Sequence, residues 1–185
     1  MNAFLVSTGI VALAEIGDKT QLLALVLAAR FKKPVPIILG ILIATLANHA
    51  LAGMVGAWIA HAIGAAAMRW ILGGSFIAMA VWMLVPDRID DATPAPPRFG
   101  VFITTLVAFF LVEMGDKTQI ATVALAARYD ALIAVIAGTT LGMMIANIPA
   151  VLLGEVAATK LPQRLVHAIA AALFLAMGIF ALVAT

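Results

Sequence analysis

Glu15 and Asp18 stand three residues apart, and so do Glu113 and Asp116. Residues at that spacing share one face of a helix, so each pair would turn two carboxylates the same way. Both pairs sit in longer polar blocks, Glu15-Ile16-Gly17-Asp18-Lys19-Thr20-Gln21 and Glu113-Met114-Gly115-Asp116-Lys117-Thr118-Gln119. Hard divalent cations such as calcium, manganese and magnesium take carboxylate, carbonyl and amide oxygen. Glu15, Asp18, Glu113 and Asp116 offer the carboxylates, and Gln21, Gln119, Thr20 and Thr118 add neutral oxygens. Gly17 and Gly115 would either let another backbone approach closely or let a helix open and offer its carbonyls. Two such faces brought together would surround one ion with about six oxygens. Four carboxylates against Lys19 and Lys117 leave a formal charge of −2. One divalent cation neutralises that charge, and so do two protons. A site obliged to stay near neutral in a low dielectric can exchange one for the other.

The rest of the chain says where these blocks lie. Of 185 residues, 65% are hydrophobic and 11% charged. Soluble domains carry about 45–50% apolar and about 25% charged residues, and a chain of this length has too little core to hide the excess. A lipid-facing surface removes the difficulty. Six apolar stretches, roughly 3–29, 35–60, 67–85, 100–127, 131–157 and 161–184, are each long enough to cross a hydrocarbon core. The two blocks fall near the middle of the first and fourth, where each charge costs about 2.5–3.5 kcal/mol on insertion scales. Ionisable groups at that depth are functional candidates by default. There is no cysteine, which excludes disulfides, iron–sulfur clusters and thiolate metal sites. The net charge of only +2, with basic residues at segment ends, gives no reason to expect nucleic acid as a partner. Ala12-Leu13-Ala14 mimics a signal cleavage site, but no basic region precedes it, so the first stretch reads as a retained helix.

A proline- and aspartate-rich break from Pro86 to Arg98 reads as an exposed linker. It divides the chain into residues 1–85, a cytoplasmic linker 86–99 and residues 100–185. The two blocks lie 98 residues apart and differ at one position in seven. The likeness continues from Leu27-Ala28-Ala29-Arg30 to Leu125-Ala126-Ala127-Arg128, and Gly40 and Gly138 keep the offset. Asn48 and Asn147 follow with a one-residue slip. This is an internal duplication. Three spans per half is an odd number, so the second half must enter the membrane from the other side. The expected fold is an all-α integral membrane protein of six transmembrane helices arranged as two inverted three-helix repeats, with the site at the repeat interface near the midplane. Arg30, Lys32, Lys33, Arg88, Arg98, Lys160 and Arg164 fall on one side, against Arg69 and Arg128 on the other. That bias places the first group in the cytoplasm and both termini outside.

Lesser signals have two readings each. Glu15 with Lys19, and Glu113 with Lys117, stand at i,i+4 and could form structural ion pairs, but that leaves both aspartates unexplained. Lys19 and Lys117 can equally support a site whose acids bind the ion. Asn48 and Asn147 fall mid-span on the following helices, as cation ligands or as interhelical hydrogen-bond donors. His49 is either a proton relay or a packing histidine, and His61 and His167 fall near span ends as interfacial residues. Gly138-x-x-x-Gly142 and Gly40-x-x-x-Ala44 indicate close helix packing. Pro149 is expected to kink the fifth span, Glu155 to be a solvated charge, and Trp58, Trp70 and Trp82 to form an aromatic belt.

On the two Glu-x-Gly-Asp-Lys-Thr blocks, Glu15 to Thr20 and Glu113 to Thr118, the sequence resembles the Gdt-type divalent cation/proton exchangers. That family includes Golgi manganese and calcium transporters and bacterial manganese exporters. Its hallmark is Glu-x-Gly-Asp-(Lys/Arg)-(Thr/Ser), once in each three-helix half, and the resemblance covers essentially the whole chain. It implies a secondary transporter, not an enzyme, whose motif acids bind the metal and respond to protons. Its expected cargo is Mn2+ or Ca2+ and H+, with no cofactor and the lipid bilayer as its surroundings. For a compact bacterial-sized member the resemblance implies manganese export across a bacterial inner membrane. Three rivals stand beside it. A calcium/proton antiporter would use the same site. An intramembrane aspartyl protease needs two carboxylates sharing a proton but has no use for the lysines and glutamates. A passive channel needs a continuous polar path, whereas the polar residues cluster at mid-depth.

Overall fold

A computed structural model of the chain describes residues 2–85, 100–153 and 163–183. They form eight helices: α1 (Asn2–Glu15), α2 (Lys19–Phe31), α3 (Pro34–Ala62), α4 (Ala65–Met83), α5 (Gly100–Glu113), α6 (Lys117–Arg128), α7 (Leu132–Leu153) and α8 (Gln163–Val183). No strand occurs among the described residues. The helices α3, α4, α7 and α8 are each long and apolar enough to cross a membrane, and α1 and α5 are shorter apolar helices. Large apolar side chains are exposed along all of them, among them Trp58, Trp70, Ile133 and Leu153. Water would not tolerate so much contiguous apolar surface, but a lipid bilayer does. The linker 86–99 with Arg88 and Arg98, and the segment holding Glu155 and Lys160, lie outside the described residues.

The stretches 3–29 and 100–127, each expected as one segment, are both divided at the acidic block. The cause is local. Gly17 and Gly115 adopt φ of 84° and 80°, a region costly for any residue with a Cβ. Asp18 and Asp116 then take extended backbone and start the next helix. The glutamines hold the break closed. Gly17 N–H donates to Gln21 Oε1 at 2.9 Å, and Gly115 N–H donates to Gln119 Oε1 at 2.6 Å. Of the two roles open to these glycines, opening the helix is the one the structure uses. A Cβ at Gly115 would meet nothing within 4 Å, so close approach is not the reason for glycine there.

Small residues set the packing. An added Cβ at Gly40 would lie 3.0 Å from the Phe102 carbonyl and 2.8 Å from Thr105 Cβ. One at Gly138 would lie 2.5 Å from the Phe4 carbonyl and 3.0 Å from Ser7 Cβ. Every residue in the first contact is 98 positions from its counterpart in the second. So α3 lies on α5, and α7 lies on α1. On the far side α4 and α8 run in opposite directions, and Phe76 meets Phe174, again 98 positions away, with ring centroids 6.2 Å apart. Pro149 sits inside α7, where it removes one intrahelical donor.

At Gly56 an added Cβ would run into the Val123 carbonyl. Gly56→Ala should therefore destabilise the protein by about 1–3 kcal/mol, the usual cost of overpacking. Gly74→Ala, in open space on α4, should be neutral or slightly stabilising. Thermal unfolding of both variants in detergent compares them, and equal midpoints would refute the close α3–α6 contact.

Candidate metal centre

The two breaks face each other, with α3 and α7 alongside. Glu15 is the last residue of α1 and Glu113 the last of α5, and both are fully buried. A carboxylate at a helix C-terminus sits against the negative end of the helix dipole, so both positions favour a cation. Asp18 and Asp116 occupy the N-cap positions of α2 and α6, where the dipole favours them, and both are buried. Carboxylate oxygens of Glu15, Glu113 and Asp116 lie within 4.8 Å of one another. Asp18 is not in that group.

The oxygens left without a partner are the informative ones. Both Glu113 oxygens, Glu15 Oε1, Asp18 Oδ1, Asn48 Oδ1 and Asn147 Oδ1 are buried and accept no hydrogen bond. Native structures rarely leave buried acceptors in that condition without a ligand, water or ion to serve. The asparagine assignments are fixed by their donors. Asn48 Nδ2 donates to the Phe110 carbonyl at 3.0 Å. Asn147 Nδ2 donates to the Met143 carbonyl at 3.1 Å and contacts Met143 Sδ at 2.9 Å. A carbonyl needs a donor, so the amide oxygens must point the other way. Each asparagine thus serves as a hydrogen-bond donor and leaves an oxygen to spare.

Other side chains support the acids. Thr20 Oγ1 donates to Glu15 Oε2. Thr118 Oγ1 reaches Asp116 Oδ2 at 3.4 Å, which is long for such a bond. Lys19 Nζ pairs with Asp116 at 2.8 Å, so its ion pair crosses to the other motif instead of joining Glu15 four residues back. Lys117, nearly fully buried, places Nζ 3.4 Å from the Val85 carbonyl. Gln21 and Gln119 turn their oxygens to the glycine amides, and Gln21 Nε2 also donates to the Ala146 carbonyl at 3.0 Å. The three clustered carboxylates and Lys19 carry a formal −2 together, the charge a single divalent cation cancels.

Two histidines differ from expectation. His167 is not merely interfacial: its Nε2 lies 2.9 Å from the Ile16 carbonyl, which the opened helix has released from its own ladder. Nothing in the spacing of residues 151 positions apart signals that contact. His49 is fully buried, and neither ring nitrogen has a hydrogen-bond partner, so it is not a satisfied packing histidine.

Lys19→Gln removes the cross-motif ion pair and leaves buried Asp116 uncompensated. Lys19 is about one-third exposed, so the loss should fall below the range of about 3–5 kcal/mol for a fully buried pair, at about 1–3 kcal/mol. Divalent cation should restore most of it, and thermal unfolding with and without Mn2+ measures both effects. An unchanged midpoint would mean the pair is not formed.

The family model described as "Divalent cation/proton antiporter GDT1" matches residues 3–91 and again residues 101–185. A Vibrio cholerae protein named "Putative manganese exporter" is 51% identical over 180 residues, covering 97% of this chain and 90% of its own. A Synechocystis protein, "GDT1-like protein sll0615", is 28% identical over 207 residues, covering 94% of this chain and 93% of its own. "GDT1-like protein 3" of Oryza sativa subsp. indica is 27% identical over 203 residues, covering 96% of this chain and 72% of its own. No solved structure matches. The family description and the name of the Vibrio cholerae relative indicate a transporter, not a protease or other enzyme. The chain belongs to the GDT1 family of divalent cation/proton antiporters and is an integral membrane protein.

Proposed function

We propose that this protein exports Mn2+ from the cytoplasm in exchange for protons, at one mid-membrane site built from both acidic blocks. The observation that carries the reading is the buried cluster of Glu15, Glu113 and Asp116 carboxylates, within 4.8 Å of one another, in which Glu15 Oε1 and both Glu113 oxygens have no hydrogen-bond partner. The donor atoms are all oxygen, the type manganese and calcium both accept. Manganese is preferred because of the name borne by the 51% identical relative. Asp18, Gln21, Gln119, Asn48 and Asn147 join the ion at some stage of the cycle, and Lys19, Lys117, Thr20 and Thr118 position the acids.

In this reading α1 with α2 makes one span in two pieces, and α5 with α6 another. At about 1.5 Å per residue, no piece exceeds about 21 Å, short of a hydrocarbon core of about 30 Å. With α3, α4, α7 and α8 that gives six spans in two inverted repeats, 1–85 and 100–185, joined by the cytoplasmic linker 86–99. The contacts that recur at an offset of 98, and Phe76 against Phe174, support the repeat. Discontinuous helices at a repeat interface are the usual construction of ion sites in secondary transporters. The copies are also unequally engaged: Asn48 reaches across to α5, while Asn147 bonds within its own helix. That inequality suits a site open to one side at a time. The excess of basic residues in the loops of one side supports an orientation with both termini outside, and the bacterial exporter relative supports a bacterial plasma membrane.

The test is transport by the full chain in liposomes under an imposed pH gradient. Gradient-driven Mn2+ flux that Ca2+ blocks only in large excess supports the reading. Ca2+ outcompeting Mn2+ would replace it with a calcium/proton antiporter. Flux of neither ion would remove it.

A further inference from the structure

A cleft lies between α1 and α8, lined by none of the motif acids. His167 against Ile16 marks one end of the contact between these helices. From there α1 runs back to Leu5 and α8 runs forward to Phe180, so the two are antiparallel. A cavity of about 530 Å³ opens between them, walled by Leu5, Gly9 and Leu13 of α1 and Leu173 and Met177 of α8. Leu5, Leu173 and Phe180 are exposed, so the cleft faces the bilayer. From Leu5 to Leu13 the wall runs for about 12 Å. Arg128, from the end of α6, closes the Leu5 and Phe180 end.

Arg128 is unusual in its company. Its guanidinium lies 5.6 Å from the Tyr129 ring and 5.7 Å from the Phe180 ring. Among the described residues it has neither an ion pair nor a hydrogen bond, although Asp130 is two positions away. Two aromatic faces hold the plane in place, and five N–H donors remain unused. Rigid, partly desolvated arginine is the side chain best suited to a phosphate, which it binds through two parallel bonds. A cation at one end and a dry apolar trough at the other match a single amphiphile.

We propose that this cleft binds an anionic phospholipid, its phosphate on Arg128 and one acyl chain along the α1–α8 trough. The site is independent of the cation centre. Gly9 is the trough's open point: an added Cβ would meet nothing within 4 Å, so a larger side chain there enters the lipid's space without disturbing protein packing.

Native mass spectrometry of the purified full chain, offered phosphatidylglycerol or phosphatidylcholine with identical acyl chains, tests the assignment. Phosphatidylglycerol should be retained at least about ten-fold better: both lipids carry the phosphate, but the choline cation of phosphatidylcholine already neutralises it and repels Arg128, which weakens the charge-assisted pair. Arg128→Gln should erase the preference, and Arg128→Lys should keep only part of it. Gly9→Leu should lower retention of phosphatidylglycerol with Arg128 intact. Inorganic phosphate at equal concentration should not compete. Equal retention of the two lipids by wild type, or a preference that survives Arg128→Gln, would overturn the site. Competition by inorganic phosphate would reduce it to an anion site without the trough. A dimer that Gly9→Leu dissociates would assign the cleft to a second copy of the chain instead. If Arg128→Gln failed to fold, the wild-type contrast and Gly9→Leu would still decide.

Discussion

Glu113→Gln is expected to abolish gradient-driven manganese transport, lowering flux by at least about 100-fold. Both Glu113 oxygens are buried without a hydrogen-bond partner, beside carboxylates of Glu15 and Asp116. The amide keeps the shape and removes a charge, and it points N–H groups at the proposed cation position. A lost charged ligand at a buried site is worth several kcal/mol, and each 1.4 kcal/mol is a factor of ten. The fold should survive, because the substitution removes a negative charge from a crowded cluster. Metal-free thermal unfolding of the variant should therefore lie at or above wild type. Mn2+ at 100 times its dissociation constant should stabilise wild type by about 2.7 kcal/mol and leave Glu113→Gln unmoved. Glu15→Gln should act alike but less completely, since Thr20 already occupies one Glu15 oxygen. A Glu113→Gln protein that still transports at a tenth of the wild-type rate would sink the shared site.

The acidic blocks were legible because their physics is local. Carboxylates near the middle of an apolar stretch have few structural uses, and glycine between them marks the place where a helix can open. The division of both stretches was half legible. Hydropathy averages over a window and does not register one residue at φ of about +80°, so 3–29 and 100–127 read as unbroken. Spacing along a helix also suggested Lys19 beside Glu15. Once Gly17 and Asp18 leave the helix, the i,i+4 relation no longer holds across the break, and Lys19 crosses to Asp116. Which three of the four acids converge depends on how α1 and α5 approach, a distance no one-dimensional pattern contains. The contact of His167 with the Ile16 carbonyl belongs to the same class. A freed carbonyl calls for a donor, but sequence does not say from which helix it comes.

Gly115→Ala should reduce manganese flux by at least about ten-fold while leaving the protein folded. An added Cβ there meets no neighbour, so the substitution tests backbone conformation alone. Holding alanine at φ near +80° costs about 1–2 kcal/mol. Alanine is also the strongest helix former. Together they favour letting α5 run on into α6 without a break. In a continuous helix Gln119 loses its bond to the residue 115 amide, since that N–H joins the helical ladder. Asp116 leaves the N-cap of α6, and its approach to Lys19 and Glu15 goes with it. Mn2+ affinity should fall along with flux, and thermal unfolding should stay within about 2 kcal/mol of wild type. Gly115→Asn separates conformation from bulk, because asparagine tolerates positive φ better than alanine does. It should retain most of the flux that alanine loses, though its side chain is the larger. If Gly115→Ala transported as well as wild type, the break would not be what aims Glu113 and Asp116 at the ion. If asparagine were the more damaging of the two, the position would be limited by space, and the role of the left-handed backbone would fall.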